Sequence, residues 1–171
     1  MFKRLFFAVT FILSILVSAV AAQIPAASET EIYRPDKNDI IAWMNQASKI
    51  PAAQQNEKAD AALKGISASS SKTPRSDFQL CVGLAYLGNA KAQRCVGYAY
   101  EKGFGVVDDM MEAYVWFALA HGGGDAESES DVTRLVLVLN SAYPAPSEEE
   151  LETVAAEQKE KIAAYQKEIK N

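Results

Sequence analysis

The sequence predicts an all-α fold built from stacked two-helix units. The main observation is a near repeat, in which Gly88-Asn89-Ala90 recurs as Gly124-Asp125-Ala126 after 36 residues. Periods of this size are typical of helical-pair repeats, in which one unit cannot bury its own apolar face. Apolar residues at helical spacing on both sides of the repeat are the second observation. Proteins of this construction are usually binding surfaces and not catalysts.

The first 22 residues have the organisation of a secretory signal peptide. Lys3 and Arg4 precede an apolar run over residues 5–17, and small residues up to Ala22 offer a cleavage site. We therefore expect an exported protein, periplasmic or secreted, with no stable membrane insertion after cleavage. The alternative is a retained anchor, although the apolar run is short for a helix that spans a membrane.

Composition limits the partners of the mature chain, whose length of about 150 residues suits one modest domain. Loss of Lys3 and Arg4 changes the formal net charge from −5 to −7. An acidic balance without a basic cluster argues against nucleic acid and anionic membranes as partners. One His and two Cys do not make a zinc site, so we expect no metal and no cofactor. We interpret His121 as a helix-end residue, with a ligand role as the alternative.

Residues 23–76 are expected to form an N-terminal helical segment followed by a Ser-rich linker. A helix predicted over residues 39–48 has one apolar face, made by Ile40, Ile41, Met44 and Ala47. A proline opens a second predicted helix, over residues 51–64, and Gly65 is expected to stop it. The serine-rich residues 66–76 then predict a flexible linker.

The repeat region is assigned to residues 77–126. Its first part, residues 77–87, has the pattern of the second helix of a degenerate preceding unit. Leu80 and Cys81 lie 36 residues before Trp116 and Phe117, which supports this interpretation.

One full unit follows, over residues 90–124. Its motif positions are Ala90, Ala92, Gln93, Val96, Gly97, Tyr100, Gly103, Gly105, Val106, Asp109, Ala113, Trp116, Phe117 and Gly124. This pattern resembles the Sel-1-like repeat, a relative of the tetratricopeptide repeat. The departures from the family pattern are mild: Val96, Glu112, Phe117 and Ala120-His121. The resemblance implies a short right-handed α–α solenoid of antiparallel helix pairs with a helical C-terminal cap.

The motif residues have structural roles that physical chemistry explains. Gly97 would let the two helices of the unit approach closely, and Tyr100 and Trp116 would supply buried aromatic area between them. Gly103 and Gly105 would permit positive φ at the end of the first helix.

Asp109 is predicted to be the N-cap of the second helix of the unit. The spacing from Asp109 to Ala113 and Trp116 is helical, and an aspartate at this position accepts from unpaired backbone N–H groups. The alternative role for Asp109 is that of a ligand or a general base.

Cys81 and Cys95 are the two cysteines of the sequence, and export to an oxidising compartment favours their pairing. Gly88 lies seven residues from each, so a turn there would bring the two thiols to similar heights on neighbouring helices. We predict a disulfide, which would contribute roughly 3 kcal/mol in the chain-entropy model. The alternative is two free thiols within an interface of small residues.

Residues 127–171 are expected to form the helical cap. A helix is predicted over residues 128–143, and the Pro144-Ala145-Pro146 segment would end it. Ser147-Glu148-Glu149-Glu150 then predicts a capping box at the start of the last helix. For residues beyond Ala155 the alternative is an amphipathic tail that binds a partner helix.

The resemblance implies an exported adaptor or scaffold that binds another envelope or host protein through the groove of the stack, without catalysis. Tyr98, Glu101, Lys102 and Phe104 are the candidate contacts with the partner, although Tyr98 could equally pack against the preceding helix. One alternative is a structural subunit of a cell-envelope machine such as a flagellar stator. A less favoured alternative is a β-lactam-binding or hydrolysing enzyme. No spacing supports a Ser/Lys, Cys/His or paired-carboxylate site, so no catalytic residue is assigned.

Overall fold

The computed structural model describes residues 33–141 and 144–170, over which the chain forms seven α-helices and no strand. The predicted all-α class is therefore confirmed. The helices in chain order are α1 (Lys37–Ala47), α2 (Ala52–Ser67), α3 (Pro74–Tyr86), α4 (Ala90–Lys102), α5 (Met110–Gly122), α6 (Ser128–Asn140) and α7 (Glu148–Glu168). The predicted signal segment, residues 1–22, lies outside the described residues.

Several helices begin at a side chain that pairs with backbone amides of the first turn. Asp36 and Asp39 form a capping box at the start of α1. Ser147 and Glu150 form the capping box that the sequence predicts for α7. Asn89 caps α4 through its side-chain oxygen. The helix boundaries therefore follow from local side-chain chemistry at these positions.

The 36-residue repeat of the sequence is also a repeat of backbone geometry. Gly88 and Gly124 both adopt a φ of +97°, the left-handed conformation that glycine accepts without steric cost. In both turns the amide of the next residue donates to the carbonyl five residues earlier, at 3.0 Å. Each turn therefore ends one helix, α3 or α5, but the next helix begins two residues after Gly88 and four residues after Gly124.

The prediction that Gly65 stops the second helix is wrong. Helix α2 continues through Gly65 to Ser67. The chain turns only afterwards, and the amides of Ser70 and Ser71 both donate to the carbonyl of Gly65, at 2.8 and 3.1 Å. A single glycine is tolerated within a helix when the surrounding backbone groups remain paired.

The predicted linker over residues 66–76 is consequently shorter than expected. Only residues 68–73 lie between α2 and α3, because Pro74 takes the first position of α3. Within this connection Ser71 Oγ donates to the carboxylate of Asp77. Helix α6 is also shorter than the predicted helix over 128–143, since it ends at Asn140.

Most of the helices contact a neighbour in sequence, and some also contact a next-but-one neighbour. Consecutive contacts join α2, α3, α4, α5 and α6, and further contacts join α1 to α3 and α2 to α4. Gly83 allows the close approach of α1 and α3, because a Cβ atom there would lie 2.5 Å from the carbonyl oxygen of Trp43. Helix α7 packs on α5 and α3.

The core consists of one large cluster and one small cluster of buried side chains. The large cluster includes residues of α1 to α4 together with Trp116 and Ile162. The small cluster consists of Ala113, Phe117 and Leu135, and it joins α5 to α6. Helices α4 and α5 are therefore held between both clusters; of the candidate contacts of the sequence, Tyr98 packs against both clusters and Phe104 packs against the large one.

Candidate partner-binding site

The structural motif residues lie where close packing or a special backbone conformation requires them. Ala92, Ala113 and Trp116 are buried. Gly97 faces Phe117, and a Cβ at this position would lie 2.7 Å from the phenyl ring. Tyr100 is half-buried and meets the ring of Phe78 edge-on at 5.7 Å, so its aromatic neighbour belongs to α3.

The loop between α4 and α5 has the predicted conformation. Gly103 and Gly105 have φ values of 63° and 88°. Asp109 is the N-cap of α5, since its side chain accepts from the amides of Met111 and Glu112 at 3.0 and 3.1 Å. Its other close contact is an ion pair with Arg34, at 3.8 Å.

Two of the four candidate partner contacts are occupied by contacts within the chain. Tyr98 packs edge-on against Phe117, with ring centroids 5.0 Å apart, and its hydroxyl donates to Asp131 at 2.7 Å. Tyr98 therefore contacts α5 and α6, which follow it. Glu101 accepts two hydrogen bonds from Arg134, at 2.6 and 2.8 Å.

The other two candidate contacts differ in exposure. Phe104 is half-buried and packs against the large core cluster. Lys102 is exposed at the end of α4. The structure thus leaves one of the four side chains fully available to a partner.

The sequence interpretation missed the polar network that joins α4 to α6. Its centre is Asp131, which accepts from Arg94 Nε at 2.8 Å and from Arg134 at 3.3 Å in addition to Tyr98. Arg94 also pairs with Glu127. Burial lowers the pKa of Arg94, but hydrogen bonds to Asp131 and Glu127 outweigh it, so the pKa is raised. Because Arg94 and Asp131 expose only 13% and 5% of their side chains, salt screens this pair weakly.

Helix α6 carries two exposed apolar side chains on its outer face, the side that points away from α4 and α5. Leu137 is 68% exposed and Val138 is 44% exposed. Leu137 lies in an open groove, whose other lining residues are Ala126, Glu129, Ser130, Thr133 and Arg134. Residues 130, 133 and 137 recur at intervals of three and four, so they share one face of α6, and Ala126 lies in the turn just before this helix. This face meets no other helix of the described chain.

The seam between α5 and α7 contains a partly buried carboxylate. Glu112 lines two cavities of about 180 and 320 Å³, together with Gln158 and Lys161. Burial raises the pKa of Glu112, and nearby Lys161 only partly offsets this effect. None of the ion pairs between described residues includes Glu112.

Cys81 and Cys95 are fully buried, and their sulfur atoms lie at disulfide distance with Cα atoms 6.0 Å apart. They connect α3 to α4 on the two sides of the turn at Gly88, as the sequence predicts. His121 is exposed near the end of α5. Across the described ranges no three His, Cys, Asp or Glu side chains gather into a metal-binding group. None of the helices described combines the length and apolar character needed to cross a membrane.

No family model, no curated protein and no solved structure matches this chain.

Proposed function

We propose that this protein is an exported adaptor, without catalytic activity, that holds a helix of another protein on the outer face of α6. The proposed architecture is a short right-handed α–α solenoid of antiparallel helix pairs, related to the Sel-1-like repeats. The repeated turns at Gly88 and Gly124 support this architecture, as do the contacts of α1 with α3 and of α2 with α4.

One observation supports the proposal: three residues that line the open groove of α6 lie 36 positions after the residues of α4 that contact α6. In α4, the residues that contact α6 and its N-terminus are Arg94, Tyr98 and Glu101. The residues 36 positions later are Ser130, Arg134 and Leu137, and all three line the open groove of α6. A further helix could therefore contact α6 through side chains, as α6 contacts α4.

The chemistry of the groove indicates the kind of helix that would bind. Ala126, Ser130 and Thr133 are small, so a partner helix can approach closely, and Leu137 offers apolar area to it. Glu129 and Arg134 flank this strip on opposite sides. An amphipathic helix with a narrow apolar strip and mixed charges beside it would complement such a surface. The groove is small, so we expect one partner and a modest affinity.

Export is part of the proposal. The signal-like N-terminus and the buried cysteine pair at disulfide distance both support an oxidising compartment. Fractionation of cells that express the full chain would test this step, since a cytoplasmic location would contradict it.

The test of the adaptor function is affinity capture of a partner from envelope extracts with matched variants. Leu137→Asp places a charge in the groove, and the fold should survive because Leu137 is mostly exposed. Met110→Asp is the control, because Met110 is 37% exposed and acidic residues are favourable in the first turn of a helix. We expect one protein to be captured by the wild type and by Met110→Asp, and at least tenfold less of it by Leu137→Asp. Equal capture by both variants, or no specific capture by the wild type, would refute the proposed site.

A further inference from the structure

Helix α7 is held to the rest of the protein by few buried side chains. It has 21 residues, of which Leu151, Gln158 and Ile162 are buried. By contrast, α4 buries six residues out of 13. One of the three buried residues of α7 is an amide, which gains little from burial unless it is hydrogen-bonded. The attachment of α7 therefore depends on these three residues and on the half-buried Tyr165 and Ile169, which pack against the large core cluster.

The seam beneath α7 is incompletely filled. Two cavities of about 180 and 320 Å³ lie along it, and both are lined by Glu112, Gln158 and Lys161. Side chains that line these partly open clefts contact fewer protein atoms than side chains in a filled interface, and a partly desolvated carboxylate opposes tight closure. The association of α7 with this surface is accordingly weaker than its length suggests.

The specific contacts of α7 converge on Tyr86, at the end of α3. Gln158 Nε2 donates to the Tyr86 hydroxyl at 2.9 Å, and Gln166 Nε2 donates to the Tyr86 carbonyl at 2.8 Å. The ring of Tyr165 stacks on the Tyr86 ring, with centroids 5.5 Å apart and an interplanar angle of 16°. Gln158, Ile162, Tyr165 and Gln166 thus present one continuous face of α7 to this surface.

Helix α7 also contacts α1 through an ion pair. Lys37 pairs with Glu168 at 2.7 Å and lies over the Tyr165 ring, 5.7 Å from its centroid. The surface beneath α7 also includes the apolar side chains of Val82 and Trp116. An amphipathic helix with a C-terminal carboxylate would match this combination of a lysine, a tyrosine and apolar side chains.

We propose that the surface formed by α1, α3 and α5 is a helix-exchange site, with α7 as its resident occupant. An amphipathic helix of another protein takes the place of α7 when it carries the same face: a glutamine, an isoleucine four residues later, a tyrosine-glutamine pair three residues after that, and an acidic side chain toward its C-terminus. This site is separate from the outer face of α6, so it extends the proposed function and does not depend on it.

The test uses the full chain and a labelled synthetic peptide of residues 147–170, which supplies α7 in trans. The same substitution should raise the affinity between protein and peptide when the protein carries it, and lower that affinity when the peptide carries it. Gln158→Ala in the protein weakens the resident helix, so the peptide should bind roughly three to ten times more tightly, as one lost hydrogen bond implies. Gln158→Ala in the peptide should weaken its binding to the wild-type protein by a similar factor.

Glu160→Ala is the matched control, because Glu160 is an exposed residue of the same helix. It should leave the peptide affinity unchanged in either molecule. Hydrogen exchange should show that bound peptide accelerates exchange in the resident α7 and leaves α4 unchanged. The proposal is overturned if the peptide does not bind, or if Gln158→Ala in the protein fails to tighten binding while circular dichroism shows an intact fold. Leu137→Asp should not affect the peptide, which separates this site from the one on α6.

Discussion

Substitution of Gly83 by alanine tests the close contact between α1 and α3. Alanine favours a helix over glycine by about 1 kcal/mol, so the change would stabilise an isolated α3. In the folded protein the new Cβ would lie 2.5 Å from the Trp43 carbonyl oxygen and 3.0 Å from the Ala47 Cβ. Ordinary contact begins near 3.4 Å, so α1 must move by about 0.9 Å.

The expected effect of Gly83→Ala is a net loss of stability. Overpacking costs about 1–3 kcal/mol, and the upper value applies here because the obstacle is backbone and cannot change rotamer. After the gain in helix propensity, the free energy of unfolding should fall by about 2 kcal/mol. With a denaturant dependence of about 2 kcal/mol per molar urea, the unfolding midpoint should fall by about 1 M.

Gly122→Ala is the matched control for this experiment. Gly122 is the last residue of α5, and a Cβ there would meet nothing within 4 Å. The same chemical change should therefore leave the free energy of unfolding unchanged or raise it by up to about 1 kcal/mol. Urea unfolding followed by circular dichroism measures both variants. If Gly83→Ala were as stable as Gly122→Ala, the close packing of α1 on α3 would be refuted.

Three further predictions address the cysteines, the polar network and the seam. Replacement of Cys81 or Cys95 by serine should lower the free energy of unfolding by about 3 kcal/mol. Thiol labelling of the exported protein, unfolded without reductant, should detect no free thiol. Two labelled thiols would refute the disulfide. Tyr98→Phe should cost about 1 kcal/mol, and a double-mutant cycle with Asp131→Ala should give a coupling energy of at least about 0.5 kcal/mol; strictly additive effects would show that the hydrogen bond contributes nothing. Burial raises the pKa of Glu112, so the charged carboxylate destabilises the native state above that pKa and the penalty disappears as the pH falls. Glu112→Gln should therefore stabilise the protein at about pH 7 and have little effect at about pH 4, whereas a larger gain in acid would contradict this reasoning.

Local patterns in the sequence predicted the features that depend on a few neighbouring residues. The N-cap at Asp109, the capping box at Ser147 and the turn at Gly88 each follow from the preferences of one residue type at a helix end. Gly65 misled the prediction because a glycine inside a helix costs only about 1 kcal/mol relative to alanine, and the serines that follow can pair with its carbonyl.

Contacts between distant helices were beyond the sequence interpretation. Asp131 offers one signal in the sequence that a buried polar contact exists. It lies on the same helical face as Leu135 and Leu139, and a carboxylate on a buried face needs a partner. The identity of that partner depends on which side chains of α4 reach α6, which local pattern does not specify. Likewise, the sequence predicts an amphipathic last helix but not that its polar contacts meet at Tyr86.

Two helix–helix junctions of this protein, α3–α4 and α4–α6, are sensitive to different chemical changes. Cys95 in α4 and Asp131 in α6 are separated by 36 residues, the repeat period of the sequence. Each side chain reaches back to an earlier helix, one through sulfur to α3 and the other through charge and hydrogen bonds to α4. A reductant would act on the first junction alone, and a substitution that removes charge would act on the second alone. The contact between α3 and α4 would therefore respond to the redox state of its compartment, whereas the groove on α6 would keep its support in either state.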